Sequence, residues 1–147
     1  MDRNAISRAP IRPDRIRSIG GQSFAFVPHR FLREGFLCSL SPDEQRLYLF
    51  LVLAADRNGL SFYHYDRICA TLEMVIDDYV DARDGLLAKD LIAFDGSRFQ
   101  VLSLPEKPVY RVAHGLRAPA ALDDHDAATV RKTILASLGE QGNRAAR

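Results

Sequence analysis

Three groups of side chains in this 147-residue sequence have types and spacings that bear on chemistry. Residues 1 to 33 carry seven arginines, at 3, 8, 12, 15, 17, 30 and 33, against Asp2 and Asp14, a local balance of +5. Guanidinium groups strung along a polar stretch suit phosphate oxygens. Residues 71 to 95 reverse the sign: Glu73, Asp77, Asp78, Asp81, Asp84, Asp90 and Asp95 stand against Arg83 and Lys89, a balance of −5. Such a stretch suits a basic partner. Residues 96 to 117 return to +3 through Arg98, Lys107, Arg111 and Arg117 against Glu106. The formal net charge of +1 therefore hides a cationic arm, an acidic middle and a second cationic stretch. Binding responds to that local potential and not to the total.

Catalytic and metal chemistry find little footing. Asp77 with Asp78, or Asp123, Asp124 and Asp126, suggest carboxylate chemistry or a divalent cation, but there is no DxDxDG loop, HExxH, GxSxG or P-loop. Acids along an exposed helix lack the burial that moves carboxyl pKa values apart for acid/base work. His29, His64, His114 and His125 share no metal-ligand spacing. Cys38 and Cys69 lie 31 positions apart with no CxxC, a pattern of reduced, buried thiols and not of a disulfide framework or zinc site. The expectation is a protein that is not an enzyme and holds no cofactor or metal. Plainer readings stand beside the sharper ones: the arm as a solubilising tail, the acidic face as solvated helix surface, His64 as a surface or capping residue. Tyr63 and Tyr65 either meet nucleic acid or staple a helix start onto the core.

The length fits one modest domain with tails. At 47% hydrophobic and 27% charged, the chain is neither wholly disordered nor membrane-embedded. Its longest apolar run, Leu47 to Ala55, has nine residues, under half of the ~20 of a membrane span. No apolar stretch follows the basic N-terminus within twenty residues, so the expectation is a cytoplasmic protein without membrane partners.

Residues 1–22 mix Arg with Pro10, Pro13, Gly20 and Gly21 and read as a flexible basic arm. Phe24, Phe26 and Val27 suggest a short strand or extended lead packed on the body, followed by a brief helix over 29–37 with Phe31, Leu32 and Phe36 inward. Ser41-Pro42-Asp43-Glu44 is a capping box with proline at the first helical position. That helix runs to Arg57, closes at Asn58-Gly59, and is apolar enough to need cover on more than one face. A second helix is expected from His64 or Tyr65 to about Glu73, with Ile68, Cys69 and Leu72 inward. A third has Ile76, Tyr79, Ala82, Leu86 and Leu87 on one face and Asp77, Asp78, Asp81 and Asp84 on the other; Gly85 inside it costs about 1 kcal/mol relative to alanine. Leu91–Phe94, Asp95-Gly96 and Arg98–Leu104 read as a hairpin on a type I′ turn. A last helix is capped by Asp123 or Asp124 and ends at Gly139, with Ala127, Val130, Ile134 and Leu138 as its apolar stripe. Residues 140–147 read as a disordered tail.

Three helices followed by a hairpin over 41–104 is the order of a winged helix-turn-helix domain. The stretch 71–92, TLEMVIDDYVDARDGLLAKDLI, resembles that family's turn and third helix, ending in a Leu-x-x-x-x-Leu-Ile step into the wing. FVPHRFL at 26–32 and SPDEQRLYLFLVLAADRNG at 41–59 are similar to the N-terminal winged-helix domains of replication-initiation proteins of the DnaD kind and of plasmid or mobile-element initiators. The resemblance covers about 80 of the 147 residues. It implies a mainly α fold with a small β wing; residues 23–116 then read as the winged-helix body and 117–139 as an added helix whose apolar stripe needs cover from its own body or from the same helix of a second subunit. It places Ile76–Ala88 in the recognition position, Asp95–Arg98 at the wing tip and Tyr63–Arg67 at the phosphate-contacting helix start.

Two departures stand out. Asp90 occupies a position where the family usually has glycine, and aspartate tolerates the left-handed geometry at some cost. The third helix is acidic where DNA readers present cations or amides. The expected DNA contacts are therefore Arg8, Arg12, Arg15, Arg17, Tyr63, His64, Tyr65, Arg67, Arg98, Lys107 and Arg111, on double-stranded DNA, in transcription regulation or in replication or transposition initiation. The alternative is an adaptor that docks a basic partner, or a second copy's arm, on Asp77, Asp78, Asp81 and Asp84. A homodimer through the last helix is expected in either case.

Overall fold

A computed structural model describes residues 6–110 and 127–145 of the chain. Helix α1 spans Arg30–Arg33, α2 Pro42–Ala54, α3 Tyr65–Leu72, α4 Ile76–Ala88 and α5 Ala127–Ala145; strands β1, β2 and β3 span Leu60–Ser61, Ile92–Phe94 and Phe99–Val101. The described residues thus form a mainly helical α+β structure with one small antiparallel sheet.

The capping box forms as the sequence implies. Ser41 Oγ accepts from the Glu44 amide at 3.2 Å, and Glu44 Oε1 accepts from the Ser41 amide at 2.8 Å. From this start α2 buries Leu47, Tyr48, Leu51 and Val52, while Leu49 and Leu53 stay exposed, so only part of its apolar surface is covered. The helix stops at Ala54, before the expected Arg57. The Asp56 carboxylate accepts from the Asn58 and Leu60 amides and winds those residues into a turn, which competes with a further helical turn. Gly59 closes that turn at φ +84°, and a Cβ there would lie 2.5 Å from Val101 O. Only glycine lets β1 approach β3 this closely.

That approach produces a third strand not expected from the sequence: the sheet order is β1-β3-β2, with Leu60 opposite Gln100 and Ile92 opposite Val101. Two residues are too short a run to signal a strand. The type I′ turn is also corrected. Phe94 pairs with Phe99, leaving the four-residue loop 95–98 in which Gly96 alone has positive φ. Asp95 Oδ1 accepts from the Ser97 and Arg98 amides, organising the loop by side chain.

Helices α3 and α4 meet at Glu73, left-handed at φ +50°. The Met74 amide donates to Cys69 O across this corner. Asp90 after α4 is left-handed at φ +59°, as its position before Leu91-Ile92 implies. Tyr79, Ala82 and Leu86 of α4 are buried with Leu47, Leu51, Ile68, Leu91 and Phe99, and Phe31 stacks on Tyr48 at 4.9 Å. Where α4 crosses α2, a Cβ on Gly85 would collide with the Glu44 carboxylate. Glu44 is buried there and ion-paired with Lys89 Nζ at 2.7 Å, and Lys89 also donates to Ser39 O at 2.7 Å.

Three expectations about packing are corrected at the periphery. Phe24 and Phe26 are 65% and 76% exposed and form no strand; of that lead, Ala25 packs on the core. Leu32 points outward, because the four-residue α1 has room to bury only Phe31. Cys38 is exposed and Cys69 half-buried, both as free thiols. After β3 the chain returns to α1, where Arg30 Nη2 donates to Pro105 O at 2.9 Å and the Tyr110 hydroxyl lies against Gly35. The last helix passes Gly139 and continues to Ala145. The apolar stripe expected for it, Ala127, Val130, Ile134 and Leu138, is exposed, and the neighbouring Ala128 is buried. Asp123, Asp124 and residues 146–147 lie outside the described residues.

Candidate nucleic-acid interface

The arm places its cations in solvent. Every residue from 6 to 24 is exposed, with a short 3-10 turn at Pro13–Arg15. Arg12 turns onto Asp14, Nη2 to Oδ2 2.7 Å, and this contact holds the Asp14 carboxyl below its usual range. Among the described residues, Arg8, Arg15 and Arg17 have no acidic partner. Of the four described arm arginines, three are therefore available to an external anion.

The start of α3 gathers the next candidates. His64 stands at the N-cap position in extended geometry without a side-chain bond to the helix amides, and its Nδ1 lies 2.9 Å from Asp66 Oδ1. His64 and the Arg67 amide together lower the Asp66 carboxyl below its usual range. Tyr63 packs edge-on against Phe50 at 5.3 Å, and the Arg67 guanidinium lies 5.4 Å from the Tyr63 ring centroid. Arg67 is exposed, so the ring orients the cation without neutralising it. Tyr65 is half-buried beside Tyr79 and its hydroxyl accepts from Arg131 Nη1 at 3.4 Å. It serves the core and α5 together.

In the β2–β3 loop Arg98 folds back on Asp95, Nε to Oδ2 2.9 Å. The Arg98 and Ser97 amides, then the Arg98 side chain, push the Asp95 carboxyl far below the usual carboxylate range. Arg98 is thus exposed but partly satisfied. Lys107 is exposed beyond the sheet, and Arg111 lies outside the described residues.

The acidic helix separates into distinct environments. Asp77 and Asp78 sit in the first turn of α4, where carboxylates complement the helix dipole. Asp81 accepts from Lys132 Nζ at 3.1 Å, and Asp84 pairs with Arg83 at 3.0 Å. An open cleft of about 320 Å³ runs between α2 and α4, lined by Asp43, Asp78 and Asp81 around the Glu44–Lys89 pair. Among the described residues no three His, Cys, Asp or Glu side chains form a metal-sized cluster.

Two residues outside the expected site shape it. Arg83 is only 2% exposed; its guanidinium lies 5.4 Å from the Phe94 ring centroid and 6.0 Å from that of Tyr79, and donates to Thr129 Oγ1 at 3.0 Å. It joins α4, β2 and α5. Arg131 also lies 6.0 Å from the Tyr65 ring centroid. The sequence signal for Arg83 is its i,i+4 spacing from Tyr79, which puts both on one face of α4. No helix among the described residues is long and apolar enough to cross a membrane. No protein-family model matches the chain, and comparison with curated proteins and with solved structures finds no match.

Proposed function

We propose that this chain is a cytoplasmic winged-helix protein that binds double-stranded DNA in transcription regulation or in replication or transposition initiation. The observation that carries the reading is the order α2-β1-α3-α4-β2-β3 on a sheet ordered β1-β3-β2, with uncompensated cations at the α3 start and along the arm. The left-handed Asp90 before the Leu91-Ile92 step supports the same reading. In this account Arg8, Arg15 and Arg17 on the arm, Arg67 on α3 and Lys107 meet phosphates, and Arg98 exchanges Asp95 for a phosphate. The α4 acids face away from the backbone. The exposed Val130, Ile134 and Leu138 supply the surface for a symmetric dimer. Anisotropy of a labelled random-sequence duplex, titrated with the full chain over a range of salt, tests the reading. It expects binding at low salt that weakens linearly on logarithmic axes; no binding at low salt refutes it.

The adaptor reading draws on one specific observation. Asp81 is 73% exposed at its side chain and already takes a lysine, Lys132, from another element. A basic segment of a partner would use the same acids. Capture of a polyarginine peptide by the chain, abolished in Asp77→Asn/Asp78→Asn/Asp81→Asn, is the result that this second reading requires.

A further inference from the structure

The placement of α5 bears directly on the surface assigned to nucleic acid. Its first residue, Ala127, shares a small hollow with His64 at the α3 start and Ser97 in the wing loop. Thr129 reaches Arg83 and Lys132 reaches Asp81, so α5 runs antiparallel to α4. Arg131 closes over Tyr65. The start of α5 therefore borders the hollow between the α3 start and the β2–β3 loop, and the helix then follows α4.

The manner of docking is equally informative. Among the described side chains of α5, Ala128 is the one in the buried core, whereas Val130, Ile134, Leu135 and Leu138 are 39% to 57% exposed. The helix meets the body through Ala128 and through polar side chains, among them the Lys132–Asp81 pair, which is partly exposed and holds weakly. We propose that α5 is an autoinhibitory cover, occupying in the same chain the ground between the α3 start and the wing, which it vacates when a nucleic-acid backbone binds. This inference rests on the nucleic-acid reading above. A cover closed in about nine molecules of ten reduces apparent affinity roughly tenfold.

Two full-length variants test it. Ala128→Trp places a large neutral side chain where α5 meets the core, and Lys132→Gln removes the ion pair to Asp81 without touching the core. Amide exchange across α5 reads release, thermal unfolding reads integrity of the body, and anisotropy on a random-sequence duplex reads affinity. The expected result is faster α5 exchange with tighter duplex binding, up to roughly tenfold for Ala128→Trp. The Lys132→Gln change is the more discriminating, because removing a cation by itself weakens DNA binding. Release of α5 with unchanged or weaker binding overturns the cover while leaving the DNA reading intact. Unchanged exchange in both variants overturns the docking proposed to hold it. If neither the parent nor the variants bind duplex at low salt, the DNA reading fails and the cover with it.

Discussion

Replacing Lys89 with methionine isolates the most demanding interaction in the structure. Lys89 Nζ lies 2.7 Å from Glu44 Oε1, 2.9 Å from Oε2 and 2.7 Å from Ser39 O, and both side chains of the pair are 7% exposed. Methionine keeps most of the stem volume but leaves a carboxylate enclosed between α2 and α4 without a cation. Breaking a buried pair from one side costs about 3 to 5 kcal/mol. The lower end applies here, because Glu44 retains the Ser41 amide through the capping box. About 3 kcal/mol is a large share of the 5 to 15 kcal/mol that holds a small domain. For a body of this size it lowers the unfolding midpoint by on the order of 15 °C. The paired change Glu44→Gln/Lys89→Met removes the charge and the cation together and recovers most of the stability. Thermal and urea unfolding of Lys89→Met, Glu44→Gln and the double variant against the parent measure the coupling. A single variant within 1 kcal/mol of the parent, or a double variant no more stable than the single, refutes the reasoning.

Gly85→Ala, which adds about 1 kcal/mol at an open helix position, should instead destabilise by about 2 kcal/mol, because the new Cβ meets Glu44; a stabilised variant in urea unfolding contradicts this. Asp95 has a folded value far below its usual 3.8, so its contribution is present above that ordinary value and disappears as pH falls through the folded one. NMR titration should show its carboxyl still ionised at pH 3, with the loop amides of Ser97 and Arg98 protected; ordinary titration near pH 4 counts against the loop geometry. Ile134→Glu, on the exposed face of α5, should convert a dimer to monomer in sedimentation without altering the unfolding of the body, and a parent chain that sediments as a monomer refutes self-association.

The elements legible in the sequence are those with a local cause. Ser41-Pro42-Asp43-Glu44 names its own helix start, the α4 periodicity identifies Tyr79, Ala82 and Leu86, and Asp90 stands where a left-handed residue is needed. What is not legible depends on neighbours distant in the chain. β1 exists because Gly59 clears Val101, some forty positions away, and Gly85 reads as a helix weakness until Glu44 is seen against it. The cations of the arm are legible as a group because nothing folds over them. Arg98 and Arg83 look like free charges in the sequence, yet one is tied to Asp95 and the other is buried between Tyr79, Phe94 and Thr129. Periodicity identifies the apolar stripe of α5, which stays exposed, but not the polar edge that meets α4.

The arm cations and the α3 start are proposed to carry duplex affinity by pairing with phosphates, and everything else in the functional account depends on this. Its most direct measurement is the slope of log binding constant against log salt for the full chain, for Arg8→Ala/Arg15→Ala/Arg17→Ala and for Arg67→Ala. Removing one phosphate ion pair should flatten the slope by about 0.9, so the triple variant is predicted to drop by about 2 to 3 units and Arg67→Ala by about 1. Slopes equal to that of the parent chain in both variants would contradict the account.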